Sequence, residues 1–552
     1  MYAKRLAASG MNKICVCDRF ERYEALKEEM KGACSLAQTL LAFISLIAAF
    51  ALNGTSGVPN IQVLKDGHQV SRISDFIIYS VEAEFISQVV KTYGPCQSFW
   101  QLGWLQDCAT RSYGFLLSLR VPATKPHAIV AGQTSVKAPE KEAFEKYLPD
   151  DVYIVSVHSL HGPTVTTEGQ PLVIIQHRAP DDKVRVVEKI LESFKSRYVH
   201  LTYEEHDLVT ANTQAVTHAA FLSPPPHPAS MGTAWKNSQD YPWETSRYVG
   251  GIEIVKINIA LRIYSNKWHV YAGLAILNPS AREQIRMYAQ CATDIFKLMI
   301  EEKKEVLRER MYAARQGVFG WTREQEGDGD ASSPTPTTIK QRKPILLSDR
   351  ILDQFSLGPK PDAGEPVRPN SHLSLLAMVD CWHKLGIKPY AHLDVGGTPV
   401  FMLWIGVAEY LFRSTSRLEM AVECAIKDKT HRSDDTEFVV AARGWSQCVS
   451  FGSFDLYRNR FEETASTFPG LTPFSAPLHI ETKTNRLIHR KNHVRSGFFA
   501  PRFQEATVIG GKMIKTILDE SAQVKAAAEA RTATEAKTAA AASRAASDKT
   551  SL

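Results

Sequence analysis

Short apolar runs alternate with helical patterning over the first 200 residues of the chain. Five of these runs are long enough to form buried strands: Lys13–Cys17, 76–81, 128–130, 152–157 and 172–175. The stretches between them combine charged residues with apolar positions at helical spacing. Strands that are apolar throughout and separated by helices are typical of a parallel sheet with crossover helices. This part of the chain therefore predicts an α/β domain.

The pattern changes after residue 203, where long helical patterns dominate. Residues 324–338 (EQEGDGDASSPTPTT) are acidic and then rich in Ser, Pro and Thr, which is typical of a linker. Helical patterning returns at residue 371, and the Ala-rich end of the chain has too few large apolar residues to bury a face. We predict an α/β domain over 1–200, helical domains over 201–322 and 345–520, a linker over 323–344 and a disordered tail over 521–552.

Composition and charge exclude several classes of protein. The 552 residues are 44% hydrophobic and 22% charged with a net charge of +6, and no run of Lys and Arg predicts a nucleic-acid partner. Nine scattered cysteines lack zinc-ligand spacing and suit a reducing compartment, so we expect no metal and a cytoplasmic location. The apolar stretch 36–52 could span a membrane by length alone, but a span between two strands would break the sheet. We therefore expect no membrane partner and, from the pattern of residues 1–10, no signal peptide.

Two polar groups follow predicted strands, at the edge where α/β sheets bind ligands. Asp18 and Arg19 come directly after the strand KICVC. In a dinucleotide-binding unit, a carboxylate there binds the 2′-hydroxyl of the adenosine ribose, and an arginine accepts a 2′-phosphate. Ser135, in the stretch QTSVK, also follows a strand. The alternatives are a helix cap for Asp18 or Ser135 and a surface arginine.

Three further residues could carry chemistry. His158 emerges from the strand VYIVSV, where a ring with a pKa near neutrality could act as acid or base. His218 shares a predicted helix face with Asp207 and Gln214, which suggests a buried partner or ligand. Arg262 has strongly apolar neighbours, so its guanidinium needs an anion such as a carboxylate. The alternatives are a structural loop histidine, a solvated helix face and an intramolecular salt bridge.

Longer stretches of the sequence resemble one enzyme family. The resemblance is carried by IIYSVEAEFIS, IVAGQTSVKAPEKEAFEKYLP, IVSVHSLHGPTVTTEGQPLVII, LTYEEHDLVTANTQAVTHAAFLS, INIALRIYSNKWHVYAGLAILNPSA, SHLSLLAMVDCWHKLGI, DDTEFVVAARGWS and IGGKMIKTIL. Together they resemble the prephenate dehydrogenases, in particular their fungal NADP-using branch. The similarity covers most of 1–30, 59–95, 128–322, 340–468 and 503–520.

The resemblance implies a Rossmann-like NADP-binding domain followed by all-α domains, and the oxidative decarboxylation of prephenate to 4-hydroxyphenylpyruvate for tyrosine synthesis. It implies the following roles: His158 as the base, Ser135 as the residue that orients it, Arg262 and His218 as substrate ligands, Ser80, Val81 and Glu82 at the nicotinamide ribose, and Asp18 and Arg19 at the adenosine ribose. A homodimer formed through 201–322 is a further implication. Arogenate dehydrogenase stays open as an alternative, because its substrate differs only in an amino group where prephenate has a keto group.

The sequence also departs from the family pattern. Family members begin with a strand and a Gly-x-Gly-x-x-Gly turn, whereas this sequence begins inside the helix that follows them. We therefore expect the chain as given to bind NADP poorly, to be impaired as a catalyst and to leave neighbouring strands without a partner. Residues 33–58, 96–122 and 469–497 are inserts against the pattern, which we interpret as translated introns.

The two helical parts share one short similarity. Ser371-His372-Leu373 resembles Thr217-His218-Ala219, and each triplet opens a long apolar helix. Residues 371–461 could thus be a diverged second copy of the first helical domain. The alternative is ordinary helical packing with a chance histidine.

Overall fold

The computed structural model describes the following residues: 2–8, 13–31, 46–51, 61–94, 124–161, 166–222, 256, 259–260, 263–264, 266–322, 370–396, 399–429 and 432–466. Up to residue 200 these form an eight-stranded sheet with flanking helices. From residue 203 onward the described elements are helices. The predicted fold class, an α/β Rossmann-like domain followed by helices, is confirmed.

The strands are β1 (Lys13–Cys17), β2 (Leu46–Ala51), β3 (Ile61–Val63), β4 (Phe76–Ser80), β5 (Ile129–Gly132), β6 (Tyr153–Ser159), β7 (Pro171–Arg178) and β8 (Arg197–His200). Their order in the sheet is β3-β1-β2-β4-β5-β6-β7-β8. Neighbours β3 and β1, β4 and β5, β5 and β6, and β7 and β8 are parallel, whereas β2 is antiparallel to both its neighbours and β7 to β6. Strands β1, β4, β5 and β6 therefore end at the same edge.

The apolar runs form these strands because both faces of the sheet are covered. In β4, Phe76 and Ile78 pack into one apolar cluster, and Ile77 and Tyr79 into another on the opposite face. The helices that cover the sheet are α1 (Tyr2–Ala8), α2 (Tyr23–Lys31), α3 (Gly67–Ile73), α4 (Ile86–Tyr93), α5 (Ala138–Tyr147) and α6 (Asp181–Leu191).

Strand β2 corrects one expectation. Its backbone pairs with β1 from Lys13–Ala51 to Cys17–Ile47, and with β4 from Leu46–Ser80 to Phe50–Phe76. The strands on either side are thus not left without a partner, although β2 comes from the stretch interpreted as an insert. The apolar stretch 36–52 was interpreted by its length, but six extended residues are enough to satisfy two neighbouring backbones. No helix in the described ranges is long and apolar enough to cross a membrane.

The helical part begins with α7 (Tyr203–Thr210), a π-helix (Ala211–Ala215) and α8 (Val216–Leu222). It continues with α9 (His269–Leu277), α10 (Pro279–Ile300), α11 (Lys304–Phe319), α12 (Leu373–Lys384), a 3₁₀ turn (Pro389–His392), α13 (Leu393–Gly396), α14 (Pro399–Arg413), α15 (Thr415–Lys427), α16 (Arg432–Ser450) and α17 (Phe454–Ser466).

Helices from both sides of the predicted linker share one apolar cluster. Helix α10 packs against α12 and α16, and α11 packs against α12. Trp382, Trp404 and Trp445 from the second half lie in the same cluster as Ile295 and Met311 from the first. The division into two helical domains stays a prediction.

The described cysteines are all buried, and none forms a disulfide with another described residue. Cys15 and Cys17 lie in β1, whereas Cys291, Cys381, Cys424 and Cys448 lie in helices of the second part. Burial raises the pKa of Cys17 to about 12, helped by the nearby negative charges of Asp66 and Asp18. This thiol is therefore protonated under ordinary conditions.

Candidate active site

Three neighbouring strands are tied together where they end. The hydroxyl of Ser80, at the end of β4, donates to Oε1 of Gln133 at 3.2 Å. The Nε2 of the same glutamine donates to the hydroxyl of Ser159, at the end of β6, at 3.3 Å. Gln133 thus links the ends of β4, β5 and β6 at the edge where the sequence predicts the ligands.

His158 is the penultimate residue of β6, and its ring lies against helix α7. Its Nδ1 is 2.7 Å from Nε2 of His206. The Nδ1 of His206 is in turn 3.0 Å from Oδ1 of Asp207. Asp207 also accepts hydrogen bonds from the backbone N–H groups of Lys137 at 2.7 Å and Ala138 at 2.8 Å, where α5 begins. A continuous chain of hydrogen bonds therefore runs from the start of α5 to the ring of His158.

The surroundings of His158 disfavour its protonated form. Burial lowers its pKa well below the usual value of 6.5, and the positive charges of His206, Lys137 and His161 add to the effect. Burial also lowers the pKa of His206, again with help from Lys137. Both rings are therefore neutral near pH 7, so His158 can accept a proton.

A buried ion pair lies behind this edge. The Nζ of Lys137 is 3.0 Å from both carboxylate oxygens of Glu140, and neither side chain is exposed. The ammonium also donates to the carbonyls of Gly132 at 2.9 Å and Val157 at 3.1 Å. The carboxylate further accepts from the backbone N–H and hydroxyl of Thr134 and from the hydroxyl of Ser156. The pair therefore joins the ends of β5 and β6 to the first turn of α5.

The sequence analysis missed this ion pair. The stretch QTSVKAPE drew attention to Ser135, whereas the buried pair is formed by the Lys and Glu three residues apart. Ser135 is exposed in the turn between β5 and α5, and its hydroxyl has no hydrogen-bond partner within the described residues. The structure does not bring Ser135 into contact with His158, and its role in orienting that ring stays a prediction.

The residues predicted for the adenosine ribose lie at the end of β1. Asp18 Oδ1 accepts the N–H of Arg19 at 2.8 Å, and Oδ2 is 3.5 Å from Nη1 of Arg22. Oδ2 is buried and accepts no hydrogen bond from the described residues. Burial raises the pKa of Asp18, and the negative charge of Glu82 adds to it, which shows that the ends of β1 and β4 face a common space. The side chain of Arg19 is exposed.

The predicted substrate ligands lie apart from His158. About 18 Å of helix separates His206 from His218. The ring of His218 packs edge-on against Tyr271 with centroids 4.8 Å apart, in an apolar pocket, and burial lowers its pKa to about 4. The shared face with Asp207 and Gln214 assumed α-helical spacing throughout, but the wider π-helical turns of 211–215 change that register. Arg262 lies outside the described residues.

Comparison with known proteins gives a consistent result. Residues 215–476 match a family model described as a 6-phosphogluconate dehydrogenase C-terminal domain. The chain is 43% identical over 535 residues to the prephenate dehydrogenase [NADP(+)] of Saccharomyces cerevisiae, covering 96% of this chain and 93% of that protein. It is 42% identical over 519 residues to the probable prephenate dehydrogenase [NADP(+)] of Schizosaccharomyces pombe, covering 94% and 95%.

A solved structure of prephenate dehydrogenase from A. aeolicus is also similar, with 16% identity, a TM-score of 0.35 and coverage of 56% of this chain and 89% of that one. At that level of similarity, the assignment rests on the two fungal relatives. Their identity extends over nearly the whole of each chain. The chain belongs to the prephenate dehydrogenase family.

Proposed function

We propose that the chain is an NADP-dependent prephenate dehydrogenase, which converts prephenate to 4-hydroxyphenylpyruvate and carbon dioxide. The observation that carries the proposal is the identity of 43% to a fungal enzyme of that name over 93% of its length. It is supported by a neutral histidine at the end of a sheet strand, joined by hydrogen bonds to a buried carboxylate.

The proposed chemistry needs one base. His158 takes the proton of the C4 hydroxyl of prephenate while C4 loses a hydride, and the C1 carboxylate leaves as carbon dioxide with its bonding electrons entering the ring. The proton returns to the phenol oxygen of the product, so no net proton is consumed. Bound NADP supplies the hydride acceptor. The neutral ring of His158 meets the requirement for a base near neutral pH.

The residues proposed to hold NADP lie along one edge of the sheet. A buried carboxylate oxygen of Asp18 without a hydrogen-bond donor among the described residues suits a ribose hydroxyl, and the exposed Arg19 beside it suits a 2′-phosphate. We propose that Ser80, Val81 and Glu82 form the nicotinamide end of the site. For the substrate we propose Arg262 and His218 as ligands, with Ser135 as the residue that orients the hydroxyl.

The test is a direct assay of the purified 552-residue chain. Formation of NADPH, followed by its absorbance, should require both prephenate and NADP, and the product should be 4-hydroxyphenylpyruvate. Arogenate is tested in parallel, and a higher kcat/KM for arogenate would make the alternative substrate the correct one. If neither substrate is turned over and nicotinamide fluorescence shows no NADPH binding, the chain as given is not a working dehydrogenase.

We also propose a cytoplasmic location and a homodimer. The location rests on the scattered cysteines, which suit a reducing compartment. Light scattering of the eluted protein would give its mass directly. Fractionation of cells that express the chain would show whether it stays in the cytosol.

A further inference from the structure

We infer that His206 and Asp207 are positioning residues that hold His158 in the tautomer required of a general base. This inference rests on the proposed function, because it gives a role to the partners of the proposed base. It starts from the geometry of two hydrogen bonds, 2.7 Å from His158 Nδ1 to His206 Nε2 and 3.0 Å from His206 Nδ1 to Asp207 Oδ1.

The direction of each hydrogen bond follows from the far end of the chain. Burial raises the pKa of Asp207, but its two oxygens accept two backbone N–H groups, which oppose that rise, and the positive end of the α5 dipole also favours the ionised form. His206 therefore donates to Asp207 from Nδ1, and its neutral ring accepts at Nε2. His158 must then carry its proton on Nδ1. Its Nε2 is left as the proton acceptor, which is what removal of a substrate proton requires.

The positioning residues are themselves held on more than one side. The ring of His206 is fully buried. Asn278 Nδ2 donates to the backbone carbonyl of Asp207 at 2.8 Å, while Asn278 Oδ1 accepts the N–H of Ala281 and so caps α10. Helices α5, α7 and α10 thus meet at Asp207. A base fixed in this way does not have to reorganise when the substrate binds.

A purely structural role makes a different prediction. A buried histidine can simply satisfy polar neighbours inside a core, in which case its replacement would lower stability, with kcat changing only in proportion to the folded fraction. A positioning role lowers kcat in the fully folded protein and leaves the KM for prephenate nearly unchanged, since neither residue is proposed to bind substrate. The two roles are separated by measuring kcat, KM and the Tm of each variant.

The main experiment compares two replacements of His206 in the full chain. His206→Phe keeps an aromatic ring beside His158 but provides no hydrogen-bond acceptor, and we expect kcat to fall about 100-fold, the cost of a misplaced reacting group. His206→Gln restores an amide oxygen for His158 and an N–H for Asp207, and we expect it to recover most of that loss. His177→Phe is the matched control, because His177 lies on β7 against Tyr203 outside the chain of hydrogen bonds. It should keep the unmodified kcat.

Asp207→Asn tests the tautomer itself. If the amide NH₂ faces His206 Nδ1, the proton positions in both rings are reversed and His158 loses its acceptor at Nε2. We expect kcat to fall at least as far as in His206→Phe, with little change in KM. If both His206→Phe and Asp207→Asn keep the unmodified kcat while His158→Asn abolishes it, the positioning role is wrong and the proposed base stands. If His158→Asn is also fully active, the proposed base is itself wrong.

Discussion

At the residue scale, the hydroxyl proton of the substrate needs an acceptor, and His158 is the side chain proposed for it. His158→Asn should keep prephenate binding and lose turnover by about two to four orders of magnitude, the usual contribution of a general base. Steady-state kcat and KM give the comparison, with His177→Asn as the control on the same sheet. Near-normal turnover of His158→Asn would assign the base to another residue.

The low pKa of His158 has a consequence for the dependence of activity on pH. The groups that face its ring are His206 from α7, Lys137 before α5 and His161 after β6, and all of them oppose protonation. His158 is therefore neutral at and above pH 6.5, and kcat/KM should lose this base only at pH values well below 6.5. A fall centred near 6.5 in the pH profile, absent from His158→Asn, would contradict this.

The same sign applies to stability. His158, His206 and His218 all have a lowered pKa in the folded chain, so the unfolded chain binds protons that the folded one does not. Their contribution to stability is present above pH 6.5, the unfolded value, and is lost as the pH falls below it. Each histidine contributes at most about 1.4 kcal/mol per pH unit to this loss.

Arg19 should discriminate between the two nicotinamide cofactors. Arg19→Ala removes a positive charge from the ribose end and should raise the KM for NADP much more than the KM for NAD, because only NADP carries a 2′-phosphate. Lys27→Ala, on α2, is a control for the loss of a nearby surface charge. Equal changes in KM for both cofactors would mean that Arg19 does not contact the 2′-phosphate.

The sequence could predict individual residues but not their partners. His158 and Asp18 follow apolar strands, so their place at the sheet edge could be predicted from pattern alone. The hydrogen bond from His158 to His206 joins residues 48 positions apart on different elements, and only the packing of α7 against the sheet creates it. The signal was the His-Asp doublet at the start of a helix, which the sequence analysis assigned to a ligand face.

At the element scale, the buried pair of Lys137 and Glu140 fixes α5 to the ends of β5 and β6. Lys137→Met should lower the free energy of unfolding by about 3–5 kcal/mol, since it leaves a buried carboxylate without its counter-ion. The double variant Lys137→Met/Glu140→Gln removes both charges and should be more stable than Lys137→Met alone. Chemical denaturation of the single and double variants measures this difference. If the double variant is the least stable, the charges are not the source of the loss.

Elements could be predicted where one pattern decides them. The apolar runs of β4 and β6 are buried on both faces, so neither needs information from outside the run. Strand β2 could not be predicted, because its place depends on the unpaired edges of β1 and β4 and not on its own residues. The π-helix at 211–215 likewise has no distinctive sequence pattern, and it changes which side chains share a face.

At the scale of the whole molecule, the two helical parts show similarities beyond the triplets noted in the sequence. The turns 301–303 and 451–453 each have a positive φ at the middle residue, 54° at Glu302 and 67° at Gly452. With these two residues aligned, the ion pair of Arg308 with Glu305 falls opposite that of Arg458 with Asp455. The buried Leu307 and Met311 fall opposite the buried Tyr457 and Phe461.

The same alignment sets Tyr288 opposite Phe438, and their rings contact each other with centroids 6.4 Å apart. Contact between equivalent residues is what a twofold axis produces. These features support the hypothesis that residues 371–461 are a second copy of the first helical domain. They also mean that the helices expected to bind another subunit pack in this chain against its own second half.

A shared core predicts that the two helical parts behave as one body. A protease site placed within 323–344 should allow cleavage without separation, because α10 and α11 bury their apolar faces against α12 and α16. Size-exclusion chromatography of the cleaved protein should give a single peak that contains both fragments. Two peaks under native conditions would show that the parts are independent domains.

The buried cysteines give this protein a chemical clock. A buried thiol reacts with an alkylating reagent only while its surroundings are open, so its labelling rate measures how often that region opens. Cys15 and Cys17 report on the sheet, and Cys381 and Cys448 on the helical core. NADP bound beside Asp18 would slow labelling of the first pair through its neighbour Cys17. Mass spectrometry of the labelled peptides would therefore time the breathing of the two parts separately in one sample.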